Sequence, residues 1–206
     1  MTVELIHNTP LWIASKAIRK CYASGDKSDT VEYIDSKGDF KCGEKDKELI
    51  HRVGNKYAHK STLRHVTYVF ECDDVSTKTL LALSRHCIGK DISVESTRWT
   101  TKKRRNKLSY TKLKDDSRNE KLDRIMSIVQ EAISEEWSND DISMLLPQAY
   151  NYSFIMTMNI ESLQWFLKMR TAKDAHWNIE ELAHKLYEQI PKEHKYLFED
   201  FVEEAK

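Results

Sequence analysis

Residues 65–72 read HVTYVFEC, from His65 to Cys72. Val66, Tyr68, Phe70 and Cys72 alternate with Thr67, Val69 and Glu71. Successive side chains of a strand point to opposite faces, so this alternation marks a half-buried strand. We expect it at the centre of a small sheet.

Outward from this strand, the pattern changes to the helical period on both sides. Upstream, Leu49, Ile50, Val53 and Tyr57 set a helix over 44–57, and the charged run from Glu44 to Glu48 makes its solvated first turn. Before that lies a polar, turn-rich surface loop over 26–43. Leu11, Ile13, Ala14, Ala17, Ile18 and Cys21 space out a helix whose first residue is Pro10, with Thr9 as its cap. Val3 to His7 reads as a short strand. Downstream, Ser76 caps a helix over 76–87 that uses Leu80, Leu81 and Leu83 and delivers Arg85 and His86 at its C-terminal end. Residues 100–116, TTKKRRNKLSYTKLKDD, are too charged to pack and read as an exposed arm. The remainder reads as helices over 119–137, 147–157, 160–170, 175–190 and 193–204.

The chain has 206 residues, enough for one domain with a real core, and we expect a single domain spanning 1–206. Only five glycines and three prolines accompany 40% hydrophobic and 32% charged residues, which favours a helix-rich globule over a disordered or all-β chain. No run approaches the roughly 20 apolar residues of a membrane span. The N-terminus lacks the layout of a signal peptide, and a cytoplasmic location follows as the expectation. Net charge is zero, so any anion binding must be local. Cys21, Cys42, Cys72 and Cys87 lack the close pairing of a metal site and are expected to be thiols.

Immediately after the helix over 76–87 comes the stretch RHCIGKDISVESTRW, from Arg85 to Trp99. Guanidinium forks from Arg85 and Arg98, with His86, Ser93 and Ser96, can converge on one anion, because arginine matches phosphate oxygens bidentately. The same residues also fit surface arginines with incidental serines.

This stretch, with HKSTLRH at 59–65 and MNIESLQWFLKMRTAKDAHWNIEELAHKLYEQI from Met158, resembles the flavin-dependent thymidylate synthases. The likeness runs over nearly the whole chain and keeps the order of the blocks. It implies an α/β (α+β) subunit, a small antiparallel sheet wrapped by helices, assembled as a homotetramer with sites shared between subunits. It implies FAD as cofactor, NADPH as reductant, methylenetetrahydrofolate as carbon donor and reductive methylation of dUMP to dTMP. Since reduced flavin donates the hydride, Cys87 need not be a nucleophile.

Position by position, the resemblance places Arg85, His86, His59, Ser61 and Asn159 at the flavin, with Arg85 also near the nucleotide. It places Ser96, Thr97 and Arg98 in the loop that grips dUMP, with Arg98 on the phosphate. Arg170 matches the arginine that binds the pyrimidine and favours its anionic form, the catalytic role.

Several positions depart from the family pattern. Cys87 and Glu161 stand where arginine is usual, Arg64 where glutamate is usual, Ser143 where many members carry a cation, and Ala82 where a polar residue is usual. Arg64 or Lys90 could restore the charge that Cys87 removes. The alternatives are the same chemistry on another pyrimidine nucleotide, an inactive, flavin-poor relative, or an inert structural subunit that joins an active homologue. A different class, nucleic-acid binding through Lys102, Lys103, Arg104, Arg105, Lys107, Lys112 and Lys114, is opposed by zero net charge and the adjoining Asp115 and Asp116.

Overall fold

The structure, a computed structural model, describes residues 1–32, 40–101, 103 and 108–203. It begins with strand β1 (Thr2–Asn8) and helix α1 (Trp12–Cys21), followed by a short antiparallel hairpin of β2 (Val31–Glu32) and β3 (Phe40–Lys41). Helix α2 (Glu44–Ile50) continues into a π-helical turn, His51–Lys56, and a 3₁₀ turn, Lys60–His65, leads to β4 (Thr67–Ser76). Then come α3 (Thr77–Leu83), β5 (Lys90–Val94), α4 (Thr97–Thr100), α5 (Asn119–Ser134) and α6 (Asn139–Leu145). The chain closes with β6 (Asn151–Asn159), α7 (Ile160–Arg170), α8 (Trp177–Gln189) and the 3₁₀ turns Lys192–Leu197 and Glu199–Phe201.

The main sheet is antiparallel throughout, in the order β1-β4-β6-β5, so β4 is an inner strand as its alternation requires. Tyr68, Phe70 and Cys72 on β4 meet Met158, Met156 and Phe154 on β6 in register. These side chains point to one face and are fully or nearly fully buried. Residues of α1, α7 and α8, including Ile18, Leu163, Phe166 and Leu182, complete that core. Burying each large apolar side chain contributes roughly 1.5–3 kcal/mol. The opposite face carries Glu71, Ser93 and Ile155, all exposed.

Two polar knots stitch the periphery to this core. Asp46, fully buried, accepts from Arg19 Nε at 2.5 Å and from the Ser28 and Thr30 hydroxyls at 2.6 Å each. Burial would raise its carboxyl, but these donors outweigh it and hold Asp46 below the usual carboxylate range. Tyr68 Oη lies 2.8 Å from Nδ1 of His194, whose imidazole burial pushes down to about 4. His194 is therefore neutral at pH 7.

Several sequence expectations need correction. Residues 147–157, read as a helix, enter the inner strand β6, where Phe154, Met156 and Met158 repeat the period of two. Residues 193–204, read as a helix, form two 3₁₀ turns ending at Phe201, and residue 204 lies outside the described residues. Thr9 does not cap α1, which starts at Trp12. Its amide and hydroxyl bond Thr67 instead, at 2.8 and 2.9 Å, which extends the β1–β4 seam. Strand β5, helix α6 and the β2–β3 hairpin were not visible as separate elements. The arm over 100–116 also packs in part: Thr101 is buried, Leu108 leans on a satellite core around Val129 and Ile142, and Tyr110 bridges Tyr150. Lys102, Arg104, Arg105 and Lys107 lie outside the described residues. Among the described residues no helix is long and apolar enough to cross a membrane.

Candidate functional site

A cleft of about 710 Å³ opens beside the sheet, between α7, the Lys60–His65 turn and the loop that follows α3. Helix α7 supplies most of one wall. Its positions 161, 165 and 169 are four apart and therefore share a face, so Glu161, Trp165 and Met169 line the cleft together. Arg170 closes one end, Arg85, His86, Cys87 and Ile88 form the facing edge, and Lys60 and Phe201 border the other side.

Local chemistry explains why the α3–β5 loop reaches α7. Asn159 caps α7 by accepting from the Ser162 amide at 2.9 Å, and Asn159 N donates to Gly89 O at 3.2 Å. The Ser162 hydroxyl donates to Ile88 O. Gly89 has φ +64°, and a Cβ there would collide with Asn159 and Ser162, so only glycine allows this approach.

At the closed end, Arg170 Nε donates to His86 Nε2 at 2.9 Å, and Arg170 Nη2 donates to Ala82 O at 3.4 Å. The His86 ring stands edge-on to Phe166, with centroids 5.0 Å apart. Burial, then the cations Arg170 and Lys90, push the His86 pKa down to about 4. His86 is thus neutral at pH 7, with Nε2 as acceptor and its proton on Nδ1. Burial, and then Arg85, lower the Arg170 pKa, though guanidinium stays charged.

On the opposite side, Lys60 Nζ donates to Gln164 Oε1 at 2.7 Å and to Asn55 Oδ1 at 3.4 Å, and lies 5.0 Å from the centre of the Phe201 ring. Arg64, from the same turn, grips Glu161 bidentately through Nε and Nη2. Arg64 is therefore committed to Glu161 rather than replacing the charge absent at Cys87. Arg64 and Glu161 neutralise each other.

Of the residues singled out in the sequence, Arg85, His86 and Arg170 come together in the cleft. His59 and Ser61 are exposed at the start of the neighbouring turn, and Asn159 is occupied as a helix cap; none of the three is in the cleft wall. Ser96, Thr97 and Arg98 begin α4 on a separate lobe built with α6. There Arg98 binds Asp140 bidentately at 2.7 and 3.3 Å, Asn139 donates to Arg98 O at 2.6 Å, and Ser143 donates to Asp140 O at 2.6 Å. The exposed Cys87 thiol rests on Ser84 O at 3.3 Å. His176 caps α8, its Nδ1 accepting from the Asn178 amide at 3.3 Å. Lys60, Gln164, Trp165, Met169 and Phe201 were not anticipated. The four-residue spacing on α7 could have revealed Trp165 and Met169.

A four-stranded antiparallel sheet flanked by helices, with a cleft that joins apolar walls to arginines and a neutral histidine, defines a class of α+β subunit suited to a flat, anionic ligand. The family model described as "Thymidylate synthase complementing protein" matches residues 4–194. The flavin-dependent thymidylate synthase of Campylobacter jejuni strain RM1221 is 36% identical, with 97% of this chain and 96% of the relative covered. That of Helicobacter pylori strain 26695 is 37% identical, covering 97% of this chain and 98% of the relative. A Helicobacter pylori flavin-dependent thymidylate synthase solved with FAD and dUMP superposes with a TM-score of 0.87 at 34% identity, covering 98% and 100% of the two chains. The chain belongs to this thymidylate synthase family.

Proposed function

We propose that the protein is an FAD-dependent thymidylate synthase that converts dUMP to dTMP, with methylenetetrahydrofolate as carbon donor and NADPH as reductant. The observation that carries this is the cleft itself: Arg85, His86 and Arg170 converge in it although Arg170 lies 84 residues from His86. The donor set fits the cofactor. Trp165, Met169 and Phe201 offer apolar surface to a flat ring, and Lys60 and Arg85 offer positive charge to phosphates. FAD, when bound and reduced by NADPH, would supply the hydride for the reductive methylation.

The chain's own residues bind and orient. Arg170, with Nε fixed on His86 and Nη2 on a backbone carbonyl, presents a pre-set cation to the pyrimidine and stabilises negative charge on it without reorganising. His86 works as a neutral acceptor that aims Arg170, and its low pKa keeps it so across the physiological range. Arg85 adds charge at the cleft edge. Ser96, Thr97 and Arg98 are assigned to the nucleotide phosphate. Arg98 meets Asp140 on an exposed surface, where such pairs hold only about 0–1 kcal/mol, so a phosphate dianion can displace the carboxylate. His59, Ser61 and Asn159 are assigned to the flavin's edge.

We assign these roles within one domain spanning 1–206, assembled as a homotetramer. Two features support assembly: residues 96–98 lie outside the cleft they would complete, and Ile88, Trp99, Met144 and Trp165 expose large apolar surfaces. A cytoplasmic location is supported by four free cysteines, Cys72 among them deep in the core. Nucleic-acid binding is disfavoured, since Lys112 pairs with Asp123.

The test is dTMP formation by the purified protein given FAD, dUMP, methylenetetrahydrofolate and NADPH. Turnover that requires all four is expected. Absence of dTMP, or turnover on a different pyrimidine nucleotide alone, would overturn the assignment.

A further inference from the structure

The Lys60–His65 turn puts two cations next to α7, and they meet different fates. Arg64 closes on Glu161 bidentately. Lys60 faces Gln164 and Asn55, both neutral amides, and among the described residues no carboxylate lies within ion-pair distance of it. Its ammonium sits over Phe201, and the residue is half-buried in the cleft wall. A cation withdrawn from water without a counter-ion carries a desolvation cost that an anionic ligand would recover. Two of the three ammonium donors are used by the amides, which leaves one for that ligand.

Glu161 is the carboxylate that could cancel this charge, since it lines the same cleft and, among the described residues, is the carboxylate that acts electrostatically on Lys60. Arg64 occupies it. The pair therefore does more than tie a turn to a helix: it engages the carboxylate that could otherwise pair with Lys60. We propose that Lys60 binds the phosphate-bearing part of the flavin cofactor, and that the Arg64–Glu161 pair is the positioning device that holds Lys60 available. This rests on the assignment of FAD to the cleft and adds a residue and a charge arrangement to it.

The experiment is titration of the full-length protein and its variants with FAD and with riboflavin, followed by flavin fluorescence at low and high salt, with melting temperatures recorded alongside. Lys60→Met keeps the apolar stem and should weaken FAD about tenfold, as loss of one charge-assisted contact requires. It should also flatten the salt dependence while riboflavin binding stays unchanged, and the melting temperature reports separately the loss of the Gln164 hydrogen bond. Lys60→Arg should restore FAD affinity. Arg64→Ala should weaken FAD several-fold by freeing Glu161, and Glu161→Gln added to it should restore binding. Wild-type FAD affinity and salt slope in Lys60→Met, or equal losses of FAD and riboflavin, would overturn the role of Lys60. Failure of Glu161→Gln to rescue Arg64→Ala would overturn the positioning role. A wild-type protein that takes up no FAD would overturn the cofactor assignment, and this one with it.

Discussion

The Asp46 knot and the cleft are built from the same kinds of residue and behave oppositely. At Asp46 every charge is matched: one buried carboxylate collects Arg19, Ser28, Thr30 and, at 3.3 Å, Ser15. In the cleft, Lys60, Arg85 and Arg170 share the lining with, among the described residues, a single carboxylate, Glu161, and that one is spent on Arg64. A saturated knot serves folding. An unbalanced group of cations around an apolar cavity costs stability and is retained where a ligand supplies the missing charge.

The sharpest way to break the comparison is to damage each side and ask which property fails. Asp46→Ala leaves Arg19 buried and unpaired, so urea unfolding should show a loss of about 3–5 kcal/mol, with the ligand affinity of the surviving folded protein unchanged. Arg170→Ala should do the reverse. The rate of dTMP formation should drop about 100-fold, while the unfolding free energy moves by less than about 1 kcal/mol. Arg98→Ala should cost about 2 kcal/mol of dUMP affinity by isothermal titration and leave the fold intact, because its Asp140 pair is exposed.

Acid should separate the two regions further. His86 and His194 are both held neutral, with pKa pushed from 6.5 down to about 4. Between those values the unfolded chain binds more protons than the folded one, so stability present in full above about pH 6.5 is lost as pH falls toward 4. Asp46, held below 3.8, extends the loss only at still lower pH. A plot of melting temperature against pH should therefore fall in the histidine window, and His194→Gln should flatten it. The smallest effect is expected at Cys87. Its thiol is exposed and outside the proposed chemistry, so Cys87→Ser should keep dTMP formation within about twofold.

How much of this was legible depended on how local the signal was. Strand β4 announced itself because Tyr68, Phe70 and Cys72 face one way and Thr67, Val69 and Glu71 the other, and the read helix over 160–170 coincides with α7. Strand β6 carries the same alternation in Phe154, Met156 and Met158, but methionine favours helices and the surrounding segments are helical, so the period of two was overlooked. Strand β5 is an edge strand with Ile92 alone packed against the core, too short a pattern to read. The site divided along the same line. Arg85 and His86 sit in one motif, whereas Lys60 meets Gln164 across 104 residues and Arg64 meets Glu161 across 97. Such meetings are set by how the turn docks on α7, and no local period records them.

The most direct test of the cleft's assignment is a titration of the purified wild-type protein with FAD, followed by visible flavin absorbance, then by addition of NADPH and dUMP. Stoichiometric uptake, bleaching by NADPH and a spectral shift with dUMP are the expected result. A protein that stays colourless at saturating FAD would contradict it, and would show that Arg64, Cys87 and Glu161 have dismantled the flavin site rather than rearranged it.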